Sequence, residues 1–191
     1  MMLYPRVTLN GRGNMALDGD RYLNSLKATS APLESVTFAV SAHWHSFPDK
    51  PKWIKGQDLA MEYSPNPNNL GQINSHIESY LQGGMKVRHH LFFPGYEIGD
   101  TDNEMAERAM QLHFSGLNAI KGLGEPVATV HIGLNPKKQL NEDKIILNLG
   151  RLVDFAARIG ITVCVENLKR GPASNPETVL GWAEKSGASI T

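Results

Sequence analysis

The sequence predicts an α/β protein with a parallel sheet, because short apolar segments alternate with helical segments from Glu34 onward. In the first, fourth and fifth predicted strands, one face is apolar and the other carries small or polar residues. Both faces of an open, doubly wound sheet are covered by helices and are apolar, whereas a barrel accepts polar residues in its interior near the active-site end. The two faces therefore favour a (β/α) barrel. Residues 1–34 show no readable pattern, so we expect an N-terminal extension of uncertain structure followed by a partial barrel domain at 35–191.

The strands follow from alternation of side-chain character with a period of two. In residues 161–166, for example, Thr162, Cys164 and Glu166 alternate with three branched apolar residues. The predicted strands are residues 36–42, 59–63, 87–93, 127–132, 161–166 and the start of a sixth at 188–191. A full barrel has eight strands and about 250 residues. About six parallel strands of an expected eight predict an incomplete barrel, roughly its first two thirds.

Helices connect these strands, and their ends carry capping signals. Thr101 and Glu104 have the spacing of a capping box, and Asn141 and Asn175 are predicted N-caps. Gly187 is predicted to end the last helix, because glycine accepts the left-handed backbone of a helix C-terminus. Short connections between strand and helix imply right-handed crossovers and a parallel sheet.

Composition excludes several classes of protein. The 191 residues include 19 basic and 19 acidic side chains, which disfavours a strongly basic nucleic-acid binder or a polybasic membrane surface. Cys164, the single cysteine, excludes an internal disulfide framework and a thiolate-rich zinc site, and it fits a reducing compartment. No apolar run approaches the ~18 residues of a membrane helix, and no signal peptide is recognisable. We therefore expect a cytoplasmic protein with no membrane partner.

Titratable side chains stand near the carboxyl ends of four predicted strands. They are Glu62, His90, His131 and Glu166. Because the carboxyl ends of barrel strands open on one mouth, these imidazoles and carboxylates are expected to converge there. Imidazole and carboxylate groups are the ligands of Zn²⁺, Mn²⁺ and related divalent metals. A single such residue is more often a hydrogen-bonded or surface group, but four at corresponding positions indicate a metal or substrate site.

Three further signals have two readings each. His43 and His45 could bind metal from one face of the first predicted strand, or could belong to a chain already leaving that strand. Arg88 could bind a substrate phosphate or carboxylate, or could pair with an interior carboxylate such as Glu62. Lys169 and Arg170 could bind an anion, although a solvated loop is the more common role of such a pair.

Three segments carry a family resemblance: residues 87–95, residues 128–133 with the letters "HIG", and residues 163–168 with "ENL". In order, spacing and position at strand ends they resemble the xylose isomerase-like TIM-barrel superfamily. That superfamily contains sugar phosphate isomerases and epimerases and the apurinic-site nucleases of the endonuclease IV type. The resemblance extends from about Val36 to Thr191.

The resemblance implies roles for individual residues. Glu166 matches a metal ligand that also exchanges protons with substrate in the isomerases. His90 and His131 match residues that bind metal in the nucleases and line the substrate pocket in the isomerases. Glu62 matches, more loosely, a glutamate inside the barrel, and with Arg88 it is expected to contact substrate. The remaining family ligands lie on strands beyond Thr191.

The resulting expectation is a metal-dependent isomerase or epimerase that acts on a small sugar or sugar phosphate through an enediolate. The metal would be Mn²⁺, Mg²⁺ or Zn²⁺. We expect the 191-residue chain alone to bind metal weakly and to turn nothing over, and a strand edge left unpaired favours homo-oligomers. One alternative is an endonuclease IV-like nuclease, which the neutral net charge and the absence of a Lys/Arg cluster on the strand-end loops disfavour. Another is a barrel without catalysis that only binds.

Overall fold

A single parallel sheet organises the chain. The computed structural model describes residues 6–9, 37–43, 60–82 and 84–191. Its sheet contains seven strands in chain order, each parallel to the next. The strands are β1 (Arg6–Leu9), β2 (Thr37–His43), β3 (Ala60–Ser64), β4 (Val87–Leu91), β5 (Val127–Val130), β6 (Thr162–Val165) and β7 (Ser189–Ile190). Parallel strands that pair in sequential order are the arrangement of a (β/α) barrel, which confirms the predicted fold class.

The sheet has one strand more than the sequence predicts. β1 pairs with β2, with Val7 opposite Phe38. Four residues are too few for a period-two pattern to stand out beside the turn-forming residues that follow, so the segment gives no clear strand signal. The predicted boundary at residue 35 lies outside the described residues and stays a prediction.

The strands that matter for the site end earlier than predicted. β4 ends at Leu91, β5 at Val130 and β6 at Val165. As a consequence, His131 and Glu166 occupy the first position after their strands. Residues at such positions lie in the loops of the barrel mouth while the strands fix their backbone.

Four helices connect or cover the described strands, together with two 3₁₀ turns. They are α1 (Ile73–Gln82), α2 (Asn103–Ile120), α3 (Glu142–Arg158) and α4 (Pro176–Ser186), with the 3₁₀ turns at Leu70–Gln72 and Pro172–Ser174. Three of the predicted caps are confirmed, including Gly187, which ends α4 with φ +79°. The Asn141 side chain accepts a hydrogen bond from the Lys144 amide, and Asn175 accepts one from Glu177. None of the described helices is long and apolar enough to cross a membrane.

The cap of α2 differs from the prediction. Asp102, and not Thr101, is the N-cap, and its Oδ1 accepts hydrogen bonds from the amides of Glu104 at 2.8 Å and Met105 at 3.2 Å. An aspartate caps a helix as well as threonine does, and its negative charge also favours the positive end of the helix dipole. The predicted capping box is therefore displaced by one residue.

The two faces of the sheet differ as predicted. Apolar side chains of the strands pack under the helices, where Leu117, Leu149 and Leu152 are fully buried. The opposite face carries polar groups in register, with His90 next to Thr129 and Thr129 next to Cys164. His131 and Glu166 come two residues after Thr129 and Cys164, so the same face delivers them at the end of the strands.

Candidate metal centre

Three side chains converge at the carboxyl ends of β4, β5 and β6. His90 Nε2 lies 2.5 Å from His131 Nε2 and 3.3 Å from Glu166 Oε2, and His131 Nε2 lies 2.8 Å from the same Glu166 oxygen. The three strands are consecutive and parallel, so their ends meet at one edge. In the described part of the chain these residues form a His/His/Glu group whose donor atoms all lie within 4.8 Å of one another.

Glu62 stands behind His90. Its Oε1 is 2.9 Å from His90 Nδ1, and its side chain is 1% exposed. A carboxylate on one ring nitrogen fixes the ring orientation and leaves the other nitrogen for a ligand. Glu62 therefore directs His90 Nε2 toward His131 and Glu166, from a position that solvent does not reach.

The charges of the cluster are strongly coupled. Burial lowers the pKa of His90, but hydrogen bonds to Glu166 and Glu62 outweigh it and raise that pKa to about 9. Burial raises the pKa of Glu166, yet hydrogen bonds from His131 and His90 hold it well below its usual range. Burial, together with the charge of His90, lowers the pKa of His131. At neutral pH the cluster is therefore a carboxylate, an imidazolium and a neutral imidazole.

The donor set fits a divalent metal. Two imidazoles and one carboxylate are the protein ligands of many catalytic zinc sites, in which a further position stays open for water or substrate. The His131 Nδ1 atom is buried and has no hydrogen-bond partner among the described residues. The proton on His90 places a positive charge among the three donor side chains. A bound divalent cation would replace that proton and supply the positive charge itself.

An aromatic ring beside this cluster was not predicted from the sequence. Phe92 packs edge-on against His131, with ring centroids 5.1 Å apart, and lies 6.2 Å from the His90 ring. The residue directly follows β4 and reads as one more apolar residue of a predicted strand. Its ring covers one side of both imidazoles and limits the access of water to them.

Glu97 is a second residue that sequence reasoning missed. It is 1% exposed, and its carboxylate accepts hydrogen bonds from the amides of Gly133 at 2.8 Å and Asn135 at 3.4 Å. It thereby ties the loop after β4 to the loop that follows His131. An isolated glutamate in a loop has no periodic pattern that could reveal this contact.

Arg88 has a different partner from the one expected. Its Nε donates to Glu125, and the two side chains are 13% and 26% exposed. The Glu125 amide bonds to the Val87 carbonyl, which brings its side chain next to Arg88. Arg88 is the second residue of β4 and Glu125 lies two residues before β5, so the pair lies toward the amino-terminal end of these strands. Glu125, and not Glu62, therefore pairs with Arg88, although Arg88 is in register with Glu62 of β3.

The predicted HxH pair is only partly described. His43 ends β2 in register with Ser64 of β3, and His45 lies outside the described residues. Metal binding by this pair stays a prediction.

Comparison with known proteins identifies the fold. No family model matches the chain. An uncharacterized protein of Methanocaldococcus jannaschii is 32% identical over 68 residues, which are 36% of this chain and 31% of that protein.

Solved structures match over a larger part of the chain. The TTHB071 protein of Thermus thermophilus, soaked with ZnCl₂, has a TM-score of 0.62 and 17% identity over 78% of this chain and 62% of its own. An L-ribulose 3-epimerase has a TM-score of 0.60 and 15% identity, with 78% and 58% covered. A xylose isomerase domain protein from Planctomyces limnophilus has a TM-score of 0.57 and 14% identity, with 78% and 58% covered.

These likenesses confirm the predicted resemblance at the level of the fold. The chain has the fold of the xylose isomerase-like TIM barrels, a fold that sugar epimerases share. It spans about three fifths of the length of these solved chains and less than one third of the curated relative.

Proposed function

We propose that this chain carries the metal- and proton-handling part of a metal-dependent isomerase or epimerase acting on a small sugar or sugar phosphate. The observation that carries the proposal is the convergence of His90, His131 and Glu166 at one end of the sheet, with Glu62 orienting His90. The fold shared with an L-ribulose 3-epimerase supports the same class of substrate.

His90, His131 and Glu166 would hold the metal, which is Mn²⁺, Mg²⁺ or Zn²⁺. When bound, a divalent cation supplies Lewis acidity toward the hydroxyl and carbonyl oxygens of a sugar. His90 is held in place by Glu62, and His131 by the loop that Glu97 anchors. The protein thus positions the donors through contacts that lie behind them.

Glu166 is the carboxylate that a substrate can reach. Its side chain is 29% exposed, against 1% for Glu62. It would accept the proton from the carbon next to the carbonyl. The C–H electron pair then forms the C=C bond of the enediolate, and the carbonyl π pair moves to oxygen. Return of the proton to the former carbonyl carbon, together with transfer of the hydroxyl proton from the other oxygen to the former carbonyl oxygen, completes an isomerisation, whereas an epimerisation needs a second group on the other face of the substrate.

Calorimetric titration with Mn²⁺ and Zn²⁺ tests the metal site. We expect one weak site per chain, with an affinity that falls at least about tenfold in Glu166→Gln, since one of three donors is lost. Glu184→Gln, which neutralises an exposed carboxylate on α4, is the matched control and should bind like the wild type. Absence of binding, or equal affinities for the two variants, would refute the site. Tight stoichiometric binding would contradict the expectation of weak affinity in the chain alone.

Solvent hydrogen exchange tests the chemistry. With the complete protein and metal in D₂O, NMR should show deuterium entering the carbon next to the carbonyl of a ketose or ketose phosphate. Exchange that persists undiminished in Glu166→Gln would remove Glu166 from the proton transfer.

A further inference from the structure

Three exposed cations at the barrel mouth take no part in the mechanism proposed above. Lys137 lies in the loop after β5, and Lys169 and Arg170 lie in the loop after β6. We call these three residues the basic rim. The sequence predicts no Lys/Arg cluster on the strand-end loops. In the structure, the two loops that carry these three residues touch each other.

A close backbone contact joins the loops. Gly171 has φ +76°, and a Cβ built on it would lie 2.4 Å from the Gly133 carbonyl oxygen and 3.8 Å from Pro136 Cα. Only glycine allows this conformation and this approach together. Lys137 directly follows Pro136 and Arg170 directly precedes Gly171, so the contact brings the backbone of the basic residues in the two loops close together.

The basic rim is electrostatically uncompensated. In the described part of the chain, Lys137, Lys169 and Arg170 have no ion pair or side-chain hydrogen bond. The neighbouring Lys138 differs, because its Nζ lies 2.5 Å from Asp100 Oδ2. The described loops after β5 and β6 therefore carry more positive than negative side chains, although the chain as a whole has a net charge of +0.

The basic rim lies within reach of the His/His/Glu group. Lys169 follows Glu166 by three residues, and three residues of fully extended chain span at most about 10 Å. We propose that the rim binds the phosphate of a small phosphorylated sugar whose carbonyl end reaches His90, His131 and Glu166. Lysine and arginine are the side chains that bind phosphate dianions most strongly. The inference rests on the proposed function and narrows its substrate to the phosphorylated form.

The distribution of charge favours one phosphate over a nucleic-acid backbone. The loop after β4 contributes no free cation among its described residues: its charged groups are the buried Glu97, the paired Asp100 and the helix cap Asp102. Duplex DNA is held by many cations spread along a groove. Three cations confined to two touching loops match a single phosphate group better.

Binding without added metal tests the rim separately from catalysis. D-Fructose 6-phosphate and D-fructose are titrated into the protein by ligand-observed NMR or calorimetry. We expect the phosphate ester to bind at least about tenfold more tightly, which is about 1.4 kcal/mol. The double variant Lys169→Gln/Arg170→Gln should lose this preference. Lys86→Gln/Lys121→Gln removes the same charge from exposed positions before β4 and after α2, and should keep the preference.

Each outcome bears on the inference. Equal affinities for the two sugars, or an unchanged preference in the Lys169/Arg170 double variant with a native circular dichroism spectrum, would overturn it. Tighter binding of an abasic duplex than of D-fructose 6-phosphate, lost in the same double variant, would overturn it in favour of nucleic acid. A phosphate preference without any metal-dependent hydrogen exchange would support the rim and refute the proposed chemistry, so the two failures are distinguishable.

Discussion

Acidification should destabilise the fold through one buried histidine on α2. His113 is 1% exposed, its ring packs edge-on against Phe93 with centroids 5.0 Å apart, and its Nδ1–H donates to the Ala109 carbonyl at 2.8 Å. Protonation would place a charge on a buried ring for which no carboxylate partner is found among the described residues, and a charge on His131 would disfavour it further. Burial therefore lowers the pKa of His113 to about 4, against an upward effect of the bond to Ala109.

The size of the effect follows from proton linkage. The folded pKa lies below the unfolded value of 6.5, so the unfolded chain takes up the proton first as the pH falls. The contribution of His113 to stability is complete above pH 6.5 and is lost progressively down to about pH 4. One pKa unit corresponds to about 1.36 kcal/mol, so the loss is about 3 kcal/mol.

Urea unfolding at a series of pH values measures this loss. Wild type should lose about 3 kcal/mol more than His113→Gln between pH 6.5 and 4, since the variant lacks the titrating ring and the other groups cancel in the difference. His76→Gln, at a partly exposed position on α1, should change the pH dependence less than His113→Gln does, although burial lowers the pKa of His76 as well. Parallel curves for wild type and His113→Gln, or an NMR titration of His113 near pH 6.5, would refute the burial argument.

Two further predictions concern backbone geometry, and both are measured by urea unfolding. Asp102→Ala should cost about 0.5–2 kcal/mol by removing the cap of α2, whereas Thr101→Ala should be nearly neutral. A larger cost for Thr101→Ala than for Asp102→Ala would instead support the capping box predicted at Thr101. Gly171→Ala should cost more than Gly122→Ala, because both have φ +76° but only Gly171 approaches another backbone atom, at Gly133. Equal costs would mean that the two loops do not touch.

The strands were predictable from the sequence where apolar residues on one face alternate with small or polar residues on the other. In residues 161–166, branched apolar residues pack under helices while polar ones face the interior, and β6 lies within that segment. β1 was not predictable, because its four residues are too short for a pattern and its pairing with β2 is a tertiary contact. The exact strand ends were also missed, since a buried residue such as Phe93 continues the apolar run after the hydrogen-bonded ladder has stopped.

The convergence of three of the predicted side chains could be inferred from the sequence, whereas several of their contacts could not. Strand ends in a parallel sheet share one edge, so His90, His131 and Glu166 could be grouped from sequence position alone. The pairing of Arg88 with Glu125 depends on how a loop folds back on β4, which no local pattern encodes.

The two glutamates beside His90 differ in how deeply they are buried, and this difference distinguishes their proposed roles. Both carboxylates lie within 3.3 Å of an imidazole nitrogen of the same ring. Glu62 comes from within β3 and is 1% exposed, so it is placed to orient His90. Glu166 comes one residue after β6 and is 29% exposed, which suits the proton acceptor proposed above. Because the loops after β5 and β6 also carry the basic rim, this carboxylate and the unpaired cations extend from the same pair of strands. A phosphorylated sugar could thus be bound at one end and deprotonated at the other by adjacent loops, whose spacing depends on the contact between Gly171 and Gly133.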